Sequence, residues 1–495
     1  MIRFLKTIAG HTAIYGLGTA FARLLNYLLV PFYTRWFLPE QYGIVVELYA
    51  YAGFLFVILT HGMESGFLRF AGKRLSSLDS AFSTAFSSVL GSSATLLMTV
   101  FLFKDQIGSL TGYSDKYHFI IMLSFILILD SLGALGFAYL RLEGKALKYA
   151  IIRLFSVGIT VVLNFLFFLF VVSSGLSIVE GWFVEYVFVA NFVGSFLALV
   201  LAIPWRLLTT PSLELWKNMA KFAFPLMIMG IIGMINEVGD RLMLKWWYVG
   251  SETEKMHAVG VYGAVYKLAM LLTLFLQAFR YAIEPFYYRI SGRQDHKQIM
   301  SFFFNVFLVA SMTLVLTVIL FIDWFKLIID ERYHEGLVVV PILAFANLAL
   351  GLYFLASFWY RLTGESMWGV RFSLIGAIIT VVVNYWGIPK WGYVASAVAT
   401  LLAYSSMFIM ALVIGQKKYP VPYNWKTIIL IFLFGLITLL LFYVARMFMH
   451  EDVVWISFVL ITVFLIITLP IAGLKLKHIR DVLGFNTGVA DSDGA

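Results

Sequence analysis

The charges inside the apolar stretches of this chain are its chemically informative residues. The bases there are Arg23, Arg153, Arg241, Lys267, Arg280 and Arg371, and the acids include Glu47, Asp130, Glu237, Asp240 and Glu284. A charge at the middle of a bilayer costs at least ~2.5–3.5 kcal/mol, so each must face a partner or a wet cavity. Arg23, Arg153, Lys267 and Arg280 are candidates for gripping an anion such as phosphate, which a guanidinium can hold through two parallel hydrogen bonds. Asp130, Asp240 and Glu237 are candidates for holding a coupling ion or for pairing with those bases. Glu237 and Arg241 stand one helical turn apart, as do Arg280 and Glu284, so each pair can neutralise itself. Asp240 does not share a helical face with its neighbour Arg241 and is expected to be free for a cation or a proton. For Arg23, a pair with Asp130 and a contact with an anionic substrate both stay open.

No catalytic arrangement accompanies these charges. The chain has no cysteine, no Ser/His/Asp grouping and no HExxH, and enzyme activity is not expected. His61 lacks a second ligand at metal spacing, so it reads as a satisfied polar residue and no metal site is expected. No GxxxxGK[ST] loop occurs, so ATP is not expected to drive the chain.

An internal repeat sorts the charges. Tyr42-Gly43 recurs as Tyr262-Gly263. At the same offset of 220 residues Glu64 meets Glu284, Arg69 meets Arg289, Arg141 meets Arg361 and Asn164 meets Asn384. Charges held in both copies read as scaffold. Asp130 aligns with Leu350, Arg153 with Ser373, Arg280 with Thr60, and Lys267 with Glu47. A charge present in one copy is not needed to build the repeat, so these positions are the better candidates for work on a substrate.

The elements that must position them are membrane helices. The chain is 61% hydrophobic and only 13% charged, about half the charge of a soluble domain. A helix needs about 20 mostly apolar residues to cross a bilayer. That rule predicts an all-α polytopic membrane protein with 14 transmembrane helices, beginning with a retained span over 7–36. Two six-helix lobes form parallel repeats, 1–210 and 211–420, and 421–495 adds two helices and a tail. Each copy holds an even number of spans, so both sit the same way up, a common transporter plan. The basic loop residues concentrate on the N-terminal side, while the opposite loops hold a minority that includes Arg35, Lys245 and Lys255. Both termini are therefore expected in the cytoplasm. Trp246-Trp247-Tyr248 reads as interfacial belt. The net charge of +9 is spread along span ends, which argues against nucleic acid as a partner.

Two stretches carry a family resemblance. Arg23-Leu-Leu-Asn-Tyr-Leu-Leu-Val-Pro-Phe-Tyr-Thr-Arg35 followed by Leu38-Pro-Glu-Gln-Tyr-Gly43 resembles the opening of the polysaccharide-transport flippases. These belong to the multidrug/oligosaccharidyl-lipid/polysaccharide exporter (MOP) superfamily. Asp240-Arg241, Val259-Gly-Val-Tyr262 and Ala264-Val-Tyr-Lys267 resemble the start of that family's second lobe. The resemblance spans about 7–415. It implies a bacterial inner-membrane flippase that moves a polyprenyl-pyrophosphate-linked oligosaccharide to the outer leaflet by alternating access. It implies no cofactor beyond a coupling Na+ or H+, with Asp240 and Asn384 falling on the spans where related lipid II flippases hold sodium. Expected partners are the lipid-linked glycan, the bilayer and glycan polymerases or glycosyltransferases, with the chain itself a monomer. Two alternatives share the superfamily: a lipid II flippase, and a drug/cation antiporter, which would favour acid-lined cavities and twelve spans. A membrane glycosyltransferase would need a large outer loop or a metal-binding acidic motif, which this sequence lacks.

Overall fold

The structure, a computed structural model, describes residues 21–22, 24–25, 27–173, 183–448 and 453–473. Among them regular structure is entirely helical, and thirteen helices are long and apolar enough to cross a bilayer. The remaining expected span, 7–36, falls mostly outside the described residues; its described end is α1 (Leu29–Trp36). The first copy continues through α2 (Pro39–Thr60), α3 (Met63–Gly72), α4 (Leu78–Leu102), α5 (Lys104–Thr111), α6 (His118–Leu142), α7 (Ala146–Ser173) and α8 (Phe183–Ala202). The second runs through α9 (Leu213–Glu237), α10 (Gly239–Trp247), α11 (Glu252–Ile290), α12 (His296–Leu320), α13 (Ile322–Phe325), α14 (Val340–Ala356), α15 (Trp359–Leu362), α16 (Met367–Trp391) and α17 (Tyr393–Lys418). The additional pair is α18 (Trp425–Phe448) and α19 (Val453–Ile471).

Two breaks matter for function. Pro39 opens α2, where a missing N–H costs nothing, and Gln41 Oε1 accepts the Leu38 N–H at 3.0 Å. The helix stops at His61 (φ 32°) and Gly62 (φ 73°). A Cβ on Gly62 would lie 2.5 Å from the Ala223 carbonyl oxygen, so only glycine fits there. His61 is satisfied, with Nδ1 at 2.7 Å from Leu59 O and Nε2 at 2.7 Å from Ser88 Oγ. The second break is Val238 (φ −134°, ψ −5°), which divides the expected span 219–248 into α9 and α10. By contrast α11 runs 39 residues without interruption past Pro285, ~58 Å at 1.5 Å per residue.

The chain divides into two compact units. The first holds 1–267, 328–337 and 373–403; the second holds 268–327, 338–372 and 404–495. In the first, Met63, Phe67, Phe82, Val89, Leu135 and Leu199 share one apolar core. In the second, Phe307, Leu316, Leu355, Phe358 and Trp359 are fully enclosed.

Two sets of residues held in both copies do the same job twice. Arg141 pairs with Glu64, and Arg361 Nη1 lies 3.1 Å from Glu284 Oε1. Asn164 and Asn384 each donate to a carbonyl one turn back, Thr160 and Thr380, at 2.8 Å. Each amide oxygen also accepts a hydroxyl, from Tyr33 at 3.0 Å and from Ser396 at 2.8 Å respectively. These buried polar groups are fully used in tying helices together.

Candidate functional site

Within the first unit α2 and α11 cross backbone against backbone. A Cβ on Gly43 would lie 2.1 Å from Met256 O, and one on Gly260 would lie 1.8 Å from Pro39 O. Val46 fills the space over Gly263, the repeat mate of Gly43. The Tyr-Gly pair that recurs in the two copies is thus also where they meet.

Two connections flank this crossing, and they are equivalents in the repeat: Tyr113 and Tyr333 stand 220 residues apart. On one side Tyr113 donates to Glu47 Oε2 at 2.6 Å. Lys245 Nζ lies 3.7 Å from the same oxygen and 3.1 Å from Glu252 Oε2. Lys255 holds Glu252 from the other side at 2.7 Å. The Glu47 side chain is fully buried, and its Oε1 has no hydrogen-bond partner among the described residues. Burial and then the Glu47 carboxylate push the Tyr113 hydroxyl well above its ordinary range, so it stays a donor. On the other side Tyr333 donates to Phe37 O at 3.0 Å, and Arg332 Nη2 donates to Arg35 O at 2.9 Å. Thr34 Oγ1 accepts the Asp330 N–H at 3.3 Å, and His257 Nε2 sits 3.1 Å from Glu335 Oε1. One clasp is an ion cluster running from the buried Glu47–Lys245 pair out to the exposed Glu252; the other is directed at backbone carbonyls.

The expected site residues fall into distinct places. Arg23 lies outside the described residues. Asp130 and Arg153 are brought together on α6 and α7, with the Ser195 hydroxyl also acting on the Asp130 carboxylate. Both are exposed, and the Arg153 guanidinium lies 5.4 Å from the centre of the Phe137 ring. Lys267 is half-buried on α11 and engaged. Arg280 Nε lies 3.5 Å from Glu284 Oε2, so this expected pair is present though long.

Asp240 requires a correction, because it is not free. It accepts the Arg241 backbone N–H at 2.9 Å, the Arg241 guanidinium at 3.2 Å and the Tyr262 hydroxyl at 2.6 Å. The break at Val238 is the reason: Asp240 sits in the first turn of a new helix, where a carboxylate meets exposed N–H groups. The expected Glu237–Arg241 pairing changes with it. Arg241 takes the Glu237 backbone carbonyl at 2.8 Å, while the exposed Glu237 side chain contributes only its nearby charge. Asn384 spends its amide on Thr380 and Ser396. Among the described residues no three metal-type ligands gather.

Lys245 was hidden from sequence reasoning. Its place beside Trp246-Trp247 reads as a loop charge, yet it is buried on the inner face of α10. The available signal was Glu47, an intramembrane acid without a base in its own span.

Residues 8–291, more than half of the chain, match the polysaccharide biosynthesis protein family. The chain belongs to this family. Both motif stretches, Arg23–Gly43 and Asp240–Lys267, lie inside the match, and residues 243–386 also match the MatE family. None of the curated proteins compared with it matches. Among solved structures, the lipid II flippase MurJ in an inward closed conformation is 14% identical with a TM-score of 0.71, covering 95% of this chain and 99% of that one. An inward-facing multidrug resistance MATE family transporter of the MOP superfamily is 15% identical with a TM-score of 0.62, covering 82% and 98%. An outward-facing one is 14% identical with a TM-score of 0.56, covering 83% and 95%. At these identities the likeness establishes the fold. The chain is thus a member of the polysaccharide biosynthesis protein family with many helices long and apolar enough to cross a membrane, and it shares its fold with MurJ and the MATE transporters.

Proposed function

We propose that the chain flips a polyprenyl-pyrophosphate-linked oligosaccharide from the cytoplasmic to the outer leaflet of a bacterial inner membrane, for cell-surface polysaccharide. Both termini lie in the cytoplasm, on the loop-charge argument. The crossing of α2 and α11 then closes the outer side, and transport requires it to open. The lobes 1–210 and 211–420 are the bodies that alternate, and a membrane potential or a Na+ or H+ gradient supplies the drive.

One observation carries the reading. Arg153 and Arg280 each occur in a single copy of the repeat, lie within spanning helices, and keep exposed guanidiniums seated beside aromatic rings at 5.4 and 5.1 Å. Charges so placed serve a polar substrate, and arginine suits a diphosphate. Proteoliposomes loaded with a lipid-linked oligosaccharide test it by the rate of leaflet reorientation. Arg153→Gln and Arg280→Gln should each slow that rate at least about tenfold at unchanged protein level, the loss of one charge-assisted contact. Wild-type rates in both variants remove the support. Lipid II in place of the oligosaccharide separates the closest alternative. The MatE match over 243–386 favours drug/cation antiport as a second reading, and cation-driven drug efflux by the same vesicles would establish it.

A further inference from the structure

The second unit carries a cluster that the repeat does not explain. On α11, Gln277, Arg280 and Glu284 follow one another at helical spacing and so share a face. Glu284 receives two bases: Arg361 Nη1 at 3.1 Å on Oε1 and Arg280 Nε at 3.5 Å on Oε2. Both guanidiniums also sit at the Phe354 ring, with their carbons 4.8 and 5.1 Å from its centre. The side-chain oxygen of Gln277 is buried and has no hydrogen-bond partner among the described residues. The same places in the first copy hold Val57, Thr60, Glu64 and Arg141. There Thr60 turns its hydroxyl back to Phe56 O at 2.8 Å, and Glu64 meets Arg141. One acid and one base close the account in the first copy. The second copy has one acid, two bases and a buried amide to spare.

We infer that Gln277, Arg280 and Arg361 form a diphosphate subsite in which the Glu284 carboxylate holds the anion's place when the protein is empty. A carboxylate and a phosphate present the same pair of oxygens to a guanidinium. The long Arg280–Glu284 contact is the one that yields: at 3.5 Å it lies at the edge of hydrogen-bond range, and the Arg280 side chain is 49% exposed. Arg361 keeps its Nη1 contact to Glu284, as Arg141 keeps Glu64, and offers its remaining N–H groups to the incoming oxygens together with Arg280. Phe354 keeps both guanidinium planes in position through cation–π contact. The Gln277 amide, which can present either its oxygen or its N–H2, gains a partner only when a ligand arrives. The inference rests on the reading of the chain as a carrier of diphosphate-linked lipid and names where on this chain the diphosphate is gripped.

Purified full-length protein in detergent, titrated calorimetrically, tests it. The probes are inorganic pyrophosphate, farnesyl pyrophosphate and phosphatidylglycerol, which separate a free anion, a lipid-borne diphosphate and an ordinary anionic lipid. Arg280→Thr installs the residue that the first copy carries and leaves the Arg361–Glu284 pair intact. It should weaken both diphosphates at least about tenfold, the loss of a charge-assisted contact. Glu284→Gln removes the competing carboxylate and should bind them several-fold more tightly. Unchanged diphosphate affinity in Arg280→Thr overturns the subsite, even if Glu284→Gln fails to fold. So does weaker binding by a folded Glu284→Gln, or a parent protein that takes only phosphatidylglycerol or no probe. Protein that flips lipid-linked glycan but binds diphosphate equally well with Arg280→Thr loses the subsite and keeps the function. Protein that binds diphosphate through Arg280 but flips no glycan loses the function and keeps the subsite.

Discussion

In the first copy of the repeat, Arg141 meets Glu64, and α2 ends just before that acid at the left-handed residues His61 and Gly62. In the second, Arg361 meets Glu284 at 3.1 Å, Arg280 shares the acid, and α11 continues unbroken through the corresponding Tyr281 and Ala282. The proline is in the unbroken helix and the glycine in the broken one. What decides is the close approach of Ala223 O to Gly62, which demands a residue without Cβ. A proline inside a helix loses one hydrogen bond yet is tolerated in membranes where neighbours can compensate. The copies thus share their tie points and differ in charge and in helix continuity. The shared set ties helices together in both copies; the unshared set is where the two copies differ chemically.

The same contrast separates the two clasps around the crossing. Lys245 bridges the buried Glu47 and the exposed Glu252, whereas Arg332 and Tyr333 reach carbonyls of residues 34–37. Lys245→Met should be the most damaging change. It leaves Glu47 buried without its cation, a loss of ~3–5 kcal/mol when one partner of a buried pair is removed. Glu47→Gln should cost less, since Lys245 retains Glu252 and Tyr113 retains an acceptor. Thermal unfolding in detergent ranks the two, and the reverse order would show that the pair is not charged in the closed form. Next comes Gly260→Ala, whose Cβ would fall 1.8 Å from a main-chain oxygen that no side-chain rotation can move. It should destabilise the crossing by ~3 kcal/mol, the upper end for overpacking. The chain has no cysteine, so a single Met256→Cys reports opening by its labelling with an impermeant thiol reagent, and labelling should rise in the Gly260→Ala background. Unchanged labelling would mean that α2 and α11 do not form the seal. Smallest is the difference between the tie points. Arg141→Gln should cost ~1 kcal/mol, as for a partly exposed ion pair, and Arg361→Gln less, because Arg280 stands ready at Glu284. Equal losses would remove Arg280 from that role.

Much of this organisation was legible in the sequence because it repeats. The 220-residue offset picked out Glu64, Arg141, Asn164 and their mates, and the structure uses each as a tie point. Span length and hydropathy located the spans, since the bilayer forces helices wherever apolar residues run long enough. What escaped was local backbone geometry and distant pairing. The break at Val238 is marked by no proline, only by Gly239 among Asn236, Glu237, Asp240 and Arg241, yet it turns Asp240 from an expected free carboxylate into a saturated one. Lys245 and Glu47 are 198 residues apart in the chain, and no periodicity connects them. Their pairing follows only from the way α10 lies against α2.

The reach of the second clasp has a consequence during synthesis. Thr34 and Asp330 are separated by 296 residues, so the first part of the chain enters the membrane long before its counterpart exists. At roughly 5–20 residues per second a ribosome needs about 15–60 s to cover that gap. Glu47 awaits Lys245 for the first two-thirds of that interval, and the carbonyls of Thr34, Arg35 and Phe37 await Arg332 and Tyr333 for all of it. Until then water and lipid headgroups at that surface are the partners open to these groups, and the second clasp can close only once most of the chain is made.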